Sequence, residues 1–170
     1  MKQLTTTLCL TIAVLLGSPG VSWALIMMPC DAVGSNEPEP ISIEDLVKRD
    51  GIFYKKFSDV PFHGDVTGKF SGEVTGEIRG TFRLGNKECT WFIFRKNGNL
   101  FSKGIYKESK KHGPWVTYHK NGQLRLKENF KDGKKHGPEV TYHKNGQLGG
   151  KGTFKDSKRD GPWITYNADG

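Results

Sequence analysis

Among the side chains able to do chemistry, the five histidines come first, as candidate metal ligands or bases, and four of them recur in register. His112 and His136 occupy equivalent places in a repeated segment, and so do His119 and His143. A residue repeated unit by unit more often serves the unit than a single site. A zinc ion needs its donors close together, each at about 2 Å. His112 and His119 stand at opposite ends of one extended segment, roughly 23 Å apart at about 3.3 Å per residue, and cannot share an ion. His119 and His143 lie on neighbouring units and could converge, but no third ligand accompanies them. Ser71, Ser102, Ser109 and Ser157 have no paired base and orienting acid in sight. The four-residue spacing of Gly64, Gly68, Gly72, Gly76 and Gly80 lacks both the G-K-S/T and the following helix of a phosphate loop, so it reads as strand bends. No catalytic residue, metal or cofactor is expected.

The basic residues carry more. Lys110-Lys111, Lys134-Lys135 and Lys158-Arg159 recur once per repeat, each just before a Gly-Pro. On a sheet they would line one edge at intervals of about 10 Å, with Lys120 and Lys144 marking the opposite edge. Two readings stand side by side. Lysine solubilises turns and discourages edge pairing. Alternatively the clusters face an anionic surface, namely lipid headgroups, acidic envelope polymer or an acidic protein. The formal charge of +8, from 26 Lys and Arg against 18 Asp and Glu, suits either. Nucleic acid is not expected, since no base-stacking aromatic groove can be argued.

The elements that position these residues follow from a fixed offset. H-G-P-W-V-T-Y-H-K-N-G-Q-L at His112–Leu124 returns at His136 with Glu139 for the tryptophan, and again as D-G-P-W-I-T-Y from Asp160. The offset is constant: 136 − 112 = 24 and 160 − 136 = 24. A period in the twenties means stacked supersecondary units that cannot bury an apolar face alone. Asn121-Gly122 signals a hairpin with a type I′ turn. Closing it pairs Lys120 with Gln123, His119 with Leu124, Thr117 with Leu126 and Trp115 with Glu128. Alternation then puts Trp115, Leu124, Leu126 and Phe130 on one face, and Val116 and Tyr118 on the other unless a bulge re-aims one of them. The expected fold is all-β: an elongated antiparallel meander of hairpin repeats from residue 80 to 170. Trp91, Leu100, Tyr106, Trp115, Leu124, Leu126, Phe130, Leu148, Phe154 and Trp163 form its repeat core. Gly150, where Leu126 stood, and Glu139 thin the apolar face of the third unit.

The pattern resembles the bacterial MORN-repeat variant family, many members of which are labelled antitoxins of the YwqK type. The resemblance rests on K-K-H-G-P-W-V-T-Y-H-K-N-G-Q-L, Lys110–Leu124, and on V-P-F-H-G-D-V-T-G, Val60–Gly68, which looks like the family's opening unit. It implies scaffolding, protein partners and, in some members, acidic phospholipids.

Residues 1–24 read as an export signal: Lys2, an apolar Leu8–Leu16, a Gly-Pro-Gly break and a small-residue site at Ser22-Trp23-Ala24. An uncleaved N-terminal anchor is the rival. Residues 25–45 read as a linker, and 46–79 as a degenerate opening region whose Asp50-Gly51 closes a two-residue turn. Export to a periplasmic or secreted location leaves Cys30 and Cys89 in an oxidising compartment, where they either pair or remain free thiols. At the other end, Pro162–Tyr166 is expected to form an edge strand, with Trp163 on the apolar face and Trp163, Ile164 and Tyr166 as candidate binding residues. Such an edge suits a partner strand or a second copy of the chain. The function expected is an exported, non-enzymatic binding module for another protein. The alternative is peripheral attachment to anionic membrane lipid or envelope polymer through the lysine edge.

Overall fold

The computed structural model describes residue 30, residues 39–70 and residues 75–169; residues 1–24, read as an export signal, and most of the linker lie outside these. Short strands β1 (Ile41–Ser42), β2 (Leu46–Arg49) and β3 (Ile52–Lys55) open the fold, with a 3-10 turn at Ile43–Asp45. Longer strands follow: β4 (Gly64–Phe70), β5 (Gly76–Arg83), β6 (Asn86–Arg95), β7 (Leu100–Lys107), β8 (Lys110–Tyr118) and β9 (Leu124–Lys131). The last are β10 (Lys134–Lys135), β11 (Gly137–Tyr142), β12 (Leu148–Lys155), β13 (Lys158–Arg159) and β14 (Ile164–Thr165). From β4 onward each strand pairs antiparallel with the next; β10 and β11 share the place beside β9, and β13 and β14 the place beside β12. This is the all-β repeat meander that the period demands.

The opening segment departs from a simple meander. Ile41–Asp45, assigned to the linker, instead belongs to the fold. β1 runs parallel to β4, and Ile41 and Ile43 pack on the core. Gly68 makes this possible, because a Cβ there would come within 2.3 Å of an Ile43 methyl. β2 and β3 form a separate hairpin whose turn residues Asp50 and Gly51 both have positive φ, 50° and 86°, as a type I′ turn requires.

Two kinds of turn alternate along the array. Glu108-Ser109, Asp132-Gly133 and Asp156-Ser157 have positive φ at both central residues and are type I′ turns. The Asn-Gly turns are not, contrary to expectation. Gly122 has φ 85° and its N–H donates to His119 O at 3.1 Å, whereas Asn121 keeps a negative φ. The reason is the asparagine side chain, whose Oδ1 accepts from the Gln123 N–H at 3.2 Å and holds an Asx turn. The loop therefore has three residues with glycine in the left-handed position. His119 closes on Gln123 instead of Leu124, and Tyr118 pairs with Leu124 through a register shift. Beyond that bulge the expected pairs Thr117–Leu126 and Trp115–Glu128 stand.

The core is densest where the opening segment meets the first repeat unit. Leu46, Val66, Ile78, Phe82 and Trp91 form one buried cluster. Of the ten residues expected in the repeat core, Trp91 and Trp115 are buried and the other eight are half-buried, as a single thin sheet allows. Cys30 and Cys89 are joined as a disulfide, with Cα atoms 5.4 Å apart. Cys89 (φ 61°) stands where later units have Gly113, Gly137 and Gly161, with φ between 69° and 99°. The bent backbone of that position survives in the first unit without glycine.

Candidate binding faces and edges

One face of the sheet is an aromatic ladder. Phe53 meets Phe82 at 4.8 Å between centroids, Phe82 meets Trp91 at 5.2 Å, and Trp91 meets Tyr106 at 5.8 Å. Tyr106 meets Trp115 at 5.4 Å, and Trp115 meets Phe130 at 6.3 Å. All of these but the tilted Phe53–Phe82 pair are edge-to-face, an arrangement that suits the ring quadrupoles. Trp91, Trp115 and Trp163 each lie flat on a glycine of the preceding strand. A Cβ on Gly80, Gly104 or Gly152 would come within 2.2, 1.9 or 2.0 Å of the indole of Trp91, Trp115 or Trp163.

The third unit breaks this pattern at both positions together. Glu139 replaces the tryptophan and Glu128 replaces the glycine beneath it, and both are buried. Lys135 joins them, with Nζ 2.8 Å from Glu128 and 2.5 Å from Glu139. Burial pulls the Lys135 ammonium down, but hydrogen bonds to Glu128 and Glu139 outweigh it and hold the group above the ordinary lysine value.

The basic pairs divide between this face and solvent. Lys110, Lys134 and Lys158 are exposed. Their neighbours fold back over the rings: Lys111 lies 4.1 Å from Trp115 and 4.8 Å from Phe130, Lys135 lies 5.1 Å from Phe154, and Arg159 lies 4.7 Å from Trp163. Lys87 holds the same place in the first unit, 4.4 Å from Trp91. Burial lowers the Lys111 and Lys87 ammonium groups below the ordinary lysine value. The edge therefore offers one free lysine per repeat where two were expected. Asp132 and Asp156 lie in the same row of turns, close to His112 and His136.

The opposite face carries a row that the basic pairs conceal in the sequence. Cross-strand partners run Arg79, Phe92, Lys103, Val116, Lys127, Val140, Lys151, Ile164 without interruption. Lys103, Lys127 and Lys151 are exposed and recur at the repeat's own offset, each between two apolar neighbours. The period was the available signal; single lysines attract less notice than pairs.

The histidines act between hairpins. His119 Nε2 lies 2.8 Å from Tyr142 O, and His143 Nε2 lies 2.8 Å from Tyr166 O. A carbonyl only accepts, so Nε2 carries the proton. Arg95 does the same work one unit earlier, donating from Nη2 to Tyr118 O at 2.8 Å. Asn121 and Asn145 add donations to Lys144 O and Ala168 O at 2.8 and 2.7 Å. At the last strand, β14 pairs with β12 on one side, and among the described residues nothing pairs its other side. Trp163 is half-buried against Phe154, while Ile164 and Tyr166 are 45% and 40% exposed.

The family model described as MORN repeat variant matches residues 111–132 and 135–156, two segments whose starts lie one repeat period apart. Residues 111–156 carry MORN repeat variants. No curated protein matches the chain. The MORN segments begin at Lys111 and Lys135, the two lysines folded over the aromatic face, so the repeat as a unit includes its own capping cation.

Proposed function

We propose that this MORN-repeat chain is an exported, non-enzymatic binding module that holds an acidic protein partner against the face opposite the aromatic ladder. The observation that carries this reading is the row of Lys103, Lys127 and Lys151 set between Phe92, Val116, Val140 and Ile164. Apolar side chains supply contact area, and the interleaved lysines select carboxylates and steer encounter. Strand addition at β14, through Ile164 and Tyr166, is a second contact compatible with the same partner or with a second copy of the chain. Export accords with the joined Cys30 and Cys89.

The test is recovery of partners by the mature protein at low and high salt, alongside a Lys103→Glu, Lys127→Glu, Lys151→Glu variant. Loss of the same protein bands from the variant is the expected result. Unchanged recovery by the variant would overturn the reading. Binding to anionic vesicles with no protein recovered would point instead to lipid or envelope attachment. For strand addition, Ile164→Pro should abolish association while the upstream repeats stay folded. For export, Cys30 and Cys89 isolated from cells should resist thiol alkylation until reduced.

A further inference from the structure

The Asn-Gly turns form the edge opposite the lysine pairs, and a groove of about 530 Å³ opens among them. Phe101 and Tyr118 contribute rings to it, and Arg95, Lys120, Arg125 and Lys144 contribute cations. No carboxylate lines it, so four positive groups face one space without an internal counter-charge. By contrast, Lys135 is paired with two glutamates, Arg79 with Glu77 and Arg49 with Asp59.

Comparison between repeats separates what the fold needs from what it does not. Where the first unit has Arg95, the next two have His119 and His143, each giving one donor to a neighbouring carbonyl. A single donor is therefore all that the position requires. Arg95 meets that need with Nη2, rests 4.7 Å from the Phe101 ring, and keeps a buried Nε with no protein partner. Arg125 stands where the flanking units have Phe101 and Gly149, so the repeat does not demand its cation; Lys144 recurs as Lys96 and Lys120 and gives way to Ala168 in the last unit.

We propose that this groove binds a multiply charged phosphate group, as in a diphosphate or a phosphomonoester. Guanidinium forks match tetrahedral phosphate oxygens two at a time, and Arg95 is already fixed by its ring and its carbonyl. A monocarboxylate brings one charge to four cations; a diphosphate brings several. The volume falls in the range of small-ligand sites, with Phe101 and Tyr118 available to a planar or apolar remainder of the ligand. The site lies at the turn edge, with Phe101 and Arg125 two residues from Lys103 and Lys127 on the same face, but none of the row's three lysines lines it, and it does not depend on the protein-binding reading.

The test is calorimetric titration of the intact chain with inorganic pyrophosphate at fixed ionic strength, with acetate as the comparison anion. Saturable one-to-one binding is expected for pyrophosphate. The Arg125→Gln, Lys144→Ala variant should weaken it at least tenfold, while Lys110→Ser, Lys134→Ser, Lys158→Ser leaves it unchanged. All five positions are exposed, and unchanged circular dichroism confirms folding. Absence of saturable binding, equal binding of acetate, or equal weakening by both variants would overturn the proposal. Flotation with vesicles whose headgroup is a bare phosphomonoester separates two sources. Vesicle binding displaced by pyrophosphate identifies a lipid headgroup, and pyrophosphate binding without vesicle binding identifies a soluble phosphate compound.

Discussion

The second and third hairpins share a backbone and a register but fill the same place with opposite chemistry. In the second, Trp115 lies on Gly104 and Lys111 covers the indole. In the third, Glu139 lies beside Glu128 and Lys135 sits between the two carboxylates. The lysine is constant; the pair beneath it is not. The lesson is that the repeat conserves a filled volume under a cation rather than a residue. A tryptophan needs glycine below it, and a glutamate needs side-chain atoms below it to occupy the space an indole would take. Changing one member without the other leaves a clash or a hole.

The largest effect should come from breaking the aromatic version. Trp115→Ala removes the ring that joins Tyr106 to Phe130 and should cost about 3–5 kcal/mol in equilibrium unfolding by urea. Gly104→Ala should cost about 1–3 kcal/mol by overpacking, because its Cβ would lie 1.9 Å from the indole. If Gly104→Ala is neutral, the close approach is not a constraint and the comparison loses its basis.

Breaking the charged version should cost less. Lys135→Met leaves Glu128 and Glu139 buried without their cation. A fully buried pair would lose about 3–5 kcal/mol, but the Lys135 side chain is 34% exposed, so about 2 kcal/mol is expected by the same urea measurement. Full retention of stability would show that the two carboxylates need no ammonium.

The smallest effect is a pH dependence whose two arms have opposite sign. Lys135 is held above the ordinary value of 10.5, so its stabilisation is complete below 10.5 and is lost as pH rises through its higher folded value. Lys111 is held below 10.5, so its burial penalty is relieved as pH rises towards 10.5. Lys87, also lowered by burial, adds to the rise, and Tyr106, held above 10.0 by burial, adds to the fall. Urea midpoints in the parent should therefore rise on approaching pH 10 and fall beyond pH 10.5. Lys111→Met should flatten the rise, and Lys135→Met should flatten the fall. The reverse assignment would contradict the geometry.

Much of this was legible in the sequence, and the boundary is physical. A fixed repeat period reports stacking, and alternation reports faces, so the hairpins, the pairs Thr117–Leu126 and Trp115–Glu128, and the place of Trp163 followed. The type of the Asn-Gly turn did not, because an asparagine side chain that bonds its own loop overrides the positive φ the dipeptide permits. The split of Lys110 from Lys111 also lay in alternation: neighbours in a strand point to opposite sides, and pairs read as a cluster hide that. The groove was out of reach, because Arg95, Arg125 and Lys144 come from three different hairpins. The disulfide joins residues 59 apart in sequence, and spacing alone carries no distance over such a span.

The two positions under Lys87, Lys111 and Lys135 change together, as glycine with tryptophan or as a pair of glutamates. A double-mutant cycle on Glu128→Gly and Glu139→Trp, read as unfolding free energies, tests this most directly. Each single change should destabilise, by a cavity or by a clash. The double variant rebuilds the arrangement of the second hairpin, with Lys135 over an indole that lies on glycine. It should recover to within about 1 kcal/mol of the parent, with a coupling of about 1–3 kcal/mol between the two sites. Additive losses, with the double variant as unstable as the sum of the singles, would contradict the account.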